Sequence, residues 1–228
     1  MAERTPGQPV PDWLGRLAHD LRNPITPMRS AVQLLQLGQL PPELAPDLLR
    51  TLDRQIDFLL RMIDDVSDLV KIEQGTFALD LATCDLGQLV ASAAARHARG
   101  AGKGARGAAT VEVDAPPEPV WVRADETRLR QLVEHLFGYL GNGDVPTPAS
   151  VHVGRDGDAG LLRFADGGRA LVPDARLDFL AGGEAPADAS ALTLSHLVAR
   201  AIAEGHQARL SFAPGGAELL LRVPAATP

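Results

Sequence analysis

The feature that most constrains the fold is the spacing of apolar residues between positions 49 and 70. They recur in alternating steps of three and four, at Leu49, Leu52, Ile56, Leu59, Ile63, Val66 and Val70. This is the period of a helix that buries one seam against other helices, as in a coiled coil. We therefore expect this part of the chain to belong to a helical bundle.

A second amphipathic helix precedes this seam. Its apolar residues also recur in steps of three and four, at Leu14, Leu17, Leu21, Ile25, Met28, Val32 and Leu35. The proline-bearing stretch "GQLPPELAP" (38–46) separates the two helices. Two long helices joined by a short turn form an antiparallel hairpin, which has too few faces to bury both stripes alone. The sequence therefore predicts a dimeric four-helix bundle.

Beyond residue 78 the pattern changes to short alternating segments between helices. "TVEVDA", "PVWVRA", "VHVGRDGDAGLLRFAD" and "ARLSFAPGGAELLLRVP" read as strands and hairpins, and three amphipathic helices lie among them. This predicts helices packed on a mixed or antiparallel sheet. The expected fold class is α+β, with a polar tail (1–12), a dimerisation hairpin (13–78) and an α/β sandwich (79–228).

The composition narrows the possible partners and surroundings. In 228 residues, 29 acidic and 22 basic side chains give a net charge of -7, which argues against a nucleic-acid partner. The single cysteine, Cys84, indicates a reducing compartment. No apolar run reaches the length that spans a membrane, so we expect a cytoplasmic protein without a membrane partner. The histidines show no metal-ligand spacing, and no metal site is expected.

The stretch "LAHDLRNPITP" places several reactive or polar side chains close together on one helix. His19 lies opposite the apolar stripe and is expected to be exposed, with Asp20 beside it and Asn23 one turn further on. A carboxylate that holds one imidazole nitrogen leaves the other as a nucleophile toward phosphorus, and an amide can orient water. The pattern indicates phosphoryl transfer or hydrolysis. The alternative is an ordinary surface histidine on a helix bent by Pro24 and Pro27.

Three segments resemble the bacterial two-component histidine kinases. "HDLRNPI" resembles the phosphoacceptor box, "DDVSDLVKIEQGTFALDLATCDLGQLV" the end of the dimerisation helix, and "VWVRADETRLRQLV" the start of the helix that carries the nucleotide site. The resemblance covers nearly the whole chain. It implies that His19 is phosphorylated, that Asp20 orients it, and that Asn23 is associated with phosphatase activity. It also implies a homodimer and response-regulator receiver domains as partners.

The chain departs from that family where the family binds ATP. His135 and Tyr139 replace two asparagines, of which the second helps to hold magnesium, and neither side chain offers the amide oxygen that a hard cation prefers. Asp166 and Gly168 match the adenine-reading box, but Ala191 and Thr193 replace glycines of the phosphate loop. A Cβ there hinders the positive φ values and close approach of a phosphate nest. The resemblance thus implies a degenerate nucleotide site.

These observations lead to a functional expectation. The chain is expected to be a histidine phosphotransfer protein that passes a phosphoryl group between His19 and receiver aspartates, similar to dimeric histidine phosphotransferases of phosphorelays. No cofactor is expected on this chain, and the magnesium ion is expected on the receiver. The alternatives are a non-catalytic scaffold or phosphatase that docks a response regulator, and an ATP-dependent kinase.

Overall fold

The computed structural model describes residues 12–37, 41, 43–101, 111–139, 149–166, 175–184, 193–214 and 218–227. They belong to two compact units, Met1–Val66 and Ser67–Pro228, which we describe separately. The units divide within the second helix, whereas the sequence suggests a boundary after residue 78. The difference has a physical reason, because the carboxylate of Asp68 binds side chains of the α/β unit.

The two N-terminal helices form as predicted. Helix α1 runs over Asp12–Gln36 and helix α2 over Leu44–Glu73, so α2 extends from the first unit into the second. Helix α2 ends where Gly75 adopts a φ of 65°. There the amides of Gly75 and Thr76 donate to the carbonyls of Ile72 and Lys71 at 3.0 and 2.9 Å. This is a Schellman ending, and glycine accepts its positive φ without steric cost.

Both helices leave apolar side chains exposed within the chain. We call this set the hairpin stripe, and its members are between 40% and 57% exposed: Leu14, Ile25 and Val32 on α1, and Leu49, Ile56 and Ile63 on α2. The three α2 members lie one heptad apart, on the seam identified in the sequence. None of the helices that the structure describes is long and apolar enough to cross a membrane.

The second unit is built on a mixed five-stranded sheet with a separate two-stranded sheet. The elements, in chain order, are β1 (Ala82–Asp85), α3 (Leu86–Ala101), β2 (Val111–Asp114), β3 (Trp121–Ala124), α4 (Glu126–Tyr139), β4 (Ala149–Asp156), β5 (Ala159–Asp166), α5 (Ala175–Leu180), α6 (Leu194–Gly205), β6 (Arg209–Phe212) and β7 (Glu218–Pro224). The strand order is β2-β4-β5-β7-β6, and β1 pairs with β3. Among the strands that the structure describes, β2 and β4 pair in parallel and the other pairs are antiparallel.

The core of this unit lies between the five-stranded sheet and its helices. Helix α4 packs between α3 and α6. Its apolar side contributes the fully buried Leu129, Leu132, Val133 and Leu136. Phe137 meets Phe164 of β5 edge to face, with ring centroids 5.9 Å apart. Helix α4, which is the helix that resembles the nucleotide helix of histidine kinases, is therefore held firmly by apolar contacts on one side.

The predicted hairpin of "VHVGRDGDAGLLRFAD" forms with a two-residue turn. Asp156 pairs with Ala159, and Gly157 in the turn has a φ of 61°. One strand position further on, a Cβ at Gly160 would lie 2.5 Å from a methyl carbon of Val122. The close approach shows why glycine is needed there, because β3 packs directly against this strand.

Two short elements, β1 and α5, were not predicted from the sequence. Strand β1 has the sequence Ala-Thr-Cys-Asp, which does not alternate large apolar with polar residues, and helix α5 has only six residues. Strand β1 exists because it pairs with β3 across a large sequence separation, with Cys84 opposite Val122. Such pairing depends on the folded chain and not on a local signal.

A buried histidine joins the end of α6 to the start of α4, and its loss should destabilise the α/β unit. His206 is only 2% exposed. Its Nε2 accepts the backbone N–H of Asp125 at 3.0 Å, while Nδ1 donates to the carbonyl of Ile202 at 2.8 Å. We expect His206→Leu to lower the free energy of unfolding by about 1–3 kcal/mol, because the Asp125 amide loses its partner.

Urea denaturation followed by circular dichroism measures this change. The matched control is His152→Leu, since His152 is an exposed histidine on β4 whose partner Asp114 is also exposed. We expect that control to shift the free energy by less than about 1 kcal/mol. Equal losses in the two variants would contradict a special role for His206.

Candidate functional site

His19 lies in the middle of α1 with its ring open to solvent. Its side chain is 69% exposed, whereas that of the neighbouring Asp20 is 12% exposed. Nδ1 of His19 lies 3.3 Å from Oδ1 of Asp20. An ionised carboxylate can only accept, so in this contact Nδ1 carries the hydrogen and Nε2 of a neutral ring is the unprotonated nitrogen. The arrangement presents a nucleophilic nitrogen on an exposed helix face.

Asn23 follows one helical turn later and is also exposed. Helical geometry places it on the same face as His19. Pro24 and Pro27 cannot donate to the carbonyls of Asp20 and Asn23, yet α1 continues as one helix through both prolines. The amide of Asn23 is therefore presented on a continuous helix beside the histidine.

Hydroxyl groups support the helix around the prolines. Thr26 Oγ1 donates to the carbonyl of Arg22 at 3.0 Å, and Ser30 Oγ donates to the carbonyl of Thr26 at 3.2 Å. Both bonds join residues four apart, the same spacing as the helical ladder. They add side-chain hydrogen bonds to the segment in which the two prolines provide no N–H groups.

The positions that replace the two asparagines lie together on the last turns of α4. His135 is half-buried, and Tyr139 is the final residue of the helix. The adjacent Glu134 is ion-paired with Arg96 of α3 at 2.9 Å. Asp166 is the last residue of β5, where its backbone pairs with Ala149. Gly168 and Ala191 lie outside the described residues.

Thr193 caps the start of α6, at the place where the resemblance expects a phosphate-binding glycine. Its φ of -89° and ψ of 168° are extended values that any residue adopts. Its backbone N–H donates to Nδ1 of His196 at 3.1 Å, and its Oγ1 lies 2.7 Å from the same nitrogen. An amide that a bound phosphate would use is thus engaged by a side chain of the same helix.

His196 has a structural role that we did not predict from the sequence, where it is one of several histidines without metal-ligand spacing. The signal was present in "TLSH", where His196 occupies the third position of the helix after the N-cap. That is the place of the glutamate or glutamine in a capping box. A histidine nitrogen can accept the N-cap amide in the same way.

The remaining candidates do not form a second site. Burial, with smaller contributions from Glu126, Asp85 and Asp125, raises the pKa of the Cys84 thiol to about 11. The thiol therefore stays protonated near neutral pH and is a poor nucleophile. Within the described ranges, no three histidine, cysteine or carboxylate side chains are grouped as metal ligands.

The chain is similar to known proteins along most of its length. Residues 12–75 match the family profile "His Kinase A (phospho-acceptor) domain". The alginate biosynthesis sensor protein KinB of Pseudomonas aeruginosa is 26% identical over 163 residues, which are 70% of this chain and 27% of KinB. The chain thus spans about a quarter of that relative.

Solved structures show the same fold. The histidine kinase AdeS of Acinetobacter baumannii superposes with a TM-score of 0.60 at 18% identity, over 92% of this chain and 98% of that one. The histidine kinase ThkA, solved in complex with the response regulator protein TrrA, superposes with a TM-score of 0.57 at 16% identity, over 95% of this chain and 62% of that one. Residues 12–75 thus match a phospho-acceptor domain, and together with the α/β unit that follows, the chain has the fold of a histidine kinase core.

Proposed function

We propose that this chain is a histidine phosphotransfer protein of a two-component phosphorelay, which moves a phosphoryl group between His19 and receiver-domain aspartates without using ATP. The observation that carries the proposal is the contact of the exposed His19 ring with the largely buried Asp20 carboxylate, 3.3 Å away. It lies within the segment that matches a phospho-acceptor domain. The histidine is thereby held in the tautomer that attacks through Nε2.

The proposed step is an in-line displacement at phosphorus. The lone pair of His19 Nε2 forms the N–P bond while the bond from phosphorus to the receiver's aspartate oxygen breaks, and the aspartate leaves as a carboxylate. The ring becomes cationic, and Asp20 stabilises that charge through the Nδ1 hydrogen. The reverse step returns the phosphoryl group to the aspartate of a second receiver. A magnesium ion bound to the receiver would neutralise the phosphoryl oxygens.

The proposed partners are response-regulator receiver domains and a second copy of this chain. ThkA, which has the same fold, was solved in complex with a response regulator protein. The hairpin stripe supports the second partner, because six large apolar side chains would otherwise face water on both helices. A homodimer through α1 and α2 would cover them in a four-helix bundle.

Three residues at the nucleotide positions argue against binding of a magnesium–ATP complex. The amide of Thr193 is bound to His196, so the start of α6 does not offer it to a phosphate. His135 and Tyr139 lack the amide oxygen expected to help hold the metal. The proposed reaction therefore uses no ATP, and we expect no cofactor on this chain.

Two other functions remain as candidates. An ATP-dependent kinase is favoured by the overall likeness to KinB and AdeS, which are named as a sensor protein and a histidine kinase. A phosphatase or docking scaffold is favoured by the exposed Asn23, whose amide can orient a water molecule near His19. Incubating the protein with phosphorylated receivers and following the label separates the proposed function from a phosphatase or scaffold, since only a phosphotransferase takes up label from the receiver and passes it to a second one. Incubation with γ-labelled ATP tests the kinase.

Magnesium–ATP is expected to leave the melting temperature of the protein unchanged. A ligand at a hundred times its dissociation constant stabilises a native protein by about 2.7 kcal/mol, which raises the melting temperature of a chain of this size by several degrees. Differential scanning fluorimetry with millimolar ATP and magnesium measures the shift. A clear rise, together with radiolabel from γ-labelled ATP on His19, would support the kinase instead.

A further inference from the structure

The end of α2 is joined to α4 by a buried charged group. The side chain of Asp68 is only 3% exposed. Its Oδ2 accepts from Arg128 Nη1 at 2.5 Å and from Gln131 Nε2 at 3.1 Å. Arg128 Nη1 also donates to Oε1 of Gln131 at 2.9 Å, which closes the triangle. We call Asp68, Arg128 and Gln131 the α2–α4 clamp.

Both hydrogen bonds of the clamp to Asp68 go to its Oδ2. Lys71 Nζ lies 3.6 Å from Oδ1, and its own side chain is 49% exposed. A buried carboxylate with a charged and an amide donor is well compensated, whereas loss of one donor leaves a desolvated charge. Since Asp68 and Arg128 are sixty residues apart, the contact holds only while α2 and α4 keep their relative position.

The segment that follows α2 contacts the start of α4 and the end of α6. The guanidinium of Arg128 lies over the ring of Phe77, 5.1 Å from its centroid. The amide of Asp80 donates to Oδ2 of Asp125 at 3.1 Å. Leu79 packs so closely on the end of α6 that a Cβ at Gly205 would lie 2.7 Å from its Cδ1. Residues 74–81 therefore run along the unit with repeated anchors.

Asp125 connects these anchors into one network. Its Oδ1 accepts the amides of Thr127 and Arg128 at 3.1 Å each, so it caps the start of α4. Its own amide is bound by the buried His206 at the end of α6. The segment 74–81, α4 and α6 are thus joined through one aspartate, and Arg128 joins the same helix to α2.

We propose that the α2–α4 clamp makes the last turns of α2 and the segment 74–81 one rigid body with the α/β unit, so that this segment is a conformational lock and not a flexible tether. The lock lies within the second unit and does not depend on the proposed function.

Hydrogen exchange of the full-length protein, read by mass spectrometry, tests the lock. The reporters are the backbone amides of residues 70–81, which include the end of a helix that would fray if it were free. We expect Asp68→Asn to speed their exchange by tenfold or more. Arg128→Lys keeps the charge but loses the planar fork, and we expect an increase of several-fold.

The matched control is Lys71→Ala, which removes the exposed partner of the same carboxylate and should change exchange less than twofold. If Asp68→Asn does not fold, Gln131→Met replaces it as the clamp variant, because methionine has a similar volume but cannot donate to Asp68. Exchange in wild-type protein that is already as fast as in an unstructured peptide would overturn the lock. So would clamp variants that exchange like the wild type. Phosphoryl uptake from a receiver is measured in a separate experiment. If uptake fails, the hydrogen-exchange result can still be interpreted.

Discussion

Replacing His19 with alanine is expected to abolish uptake of the phosphoryl group from a phosphorylated receiver. The side chain removed carries the attacking nitrogen, and its ring is exposed and held by Asp20 at 3.3 Å. Loss of a nucleophile lowers the rate by more than about a thousandfold. The measurement is transfer of radiolabel from a phosphorylated receiver to this protein, quantified on gels that preserve acid-labile phosphate.

Binding of the receiver should survive this change, because one exposed side chain is removed from a docking surface formed by many residues. Variants of the two neighbouring residues separate phosphoryl transfer from loss of phosphate to solvent. Asp20→Asn should slow transfer by roughly a hundredfold or more, since it weakens the group that orients the ring and stabilises its charge. Asn23→Ala should instead slow the loss of phosphate to solvent and spare transfer. Full transfer by the His19→Ala variant would show that another residue accepts the phosphoryl group. Receiver binding by wild-type protein without label would make the chain a scaffold.

Two charged substitutions in the hairpin stripe are expected to convert the protein into monomers or aggregates. Ile56 and Ile63 are 45% and 57% exposed in the single chain and lie one heptad apart on α2. If a second copy covers them, Ile56→Glu with Ile63→Glu places four carboxylates in one apolar interface, where unpaired charges are strongly unfavourable. Sedimentation velocity at micromolar concentration measures the association.

The control places two carboxylates on another face of α2, as Arg50→Glu with Arg61→Glu, and it changes the net charge more than the stripe variant does. Both arginines are exposed, and we expect this variant to sediment as the wild type does. A wild-type protein that sediments as a stable monomer would contradict the homodimer. A control variant that dissociates as readily as the stripe variant would show that net charge, and not the stripe, governs association.

The parts of the fold that could be predicted from sequence are those with a local signal. Steps of three and four residues predicted both helices of the hairpin, and Gly75 stands where α2 ends. The turn at Gly157 likewise marked the β4–β5 hairpin. Strand β1 and helix α5 gave no such signal, because Ala-Thr-Cys-Asp does not alternate large apolar with polar residues and six residues are too short for a helical period to be recognised.

The candidate site also has features that follow from the sequence and contacts that only the structure shows. The exposure of His19 and the nearness of Asp20 follow from their neighbouring positions on one helix, and the structure adds the side-chain contact between them. The engagement of the Thr193 amide by His196 depends on a side-chain rotamer at the start of α6. A sequence pattern indicates that a histidine stands at that position but not which partner its ring nitrogen takes.

Sequence alone determined the helical period of the hairpin, the apolar seam and the residue types around His19, because each of these depends on neighbours within a few turns. Tertiary structure decided which distant groups meet. Asp68 binds Arg128 across sixty residues, and Asp125 binds Asp80 and His206 from opposite directions along the chain. The physical reason is that a local pattern specifies which face of an element is apolar, whereas the pairing of two elements depends on the packing of the whole unit.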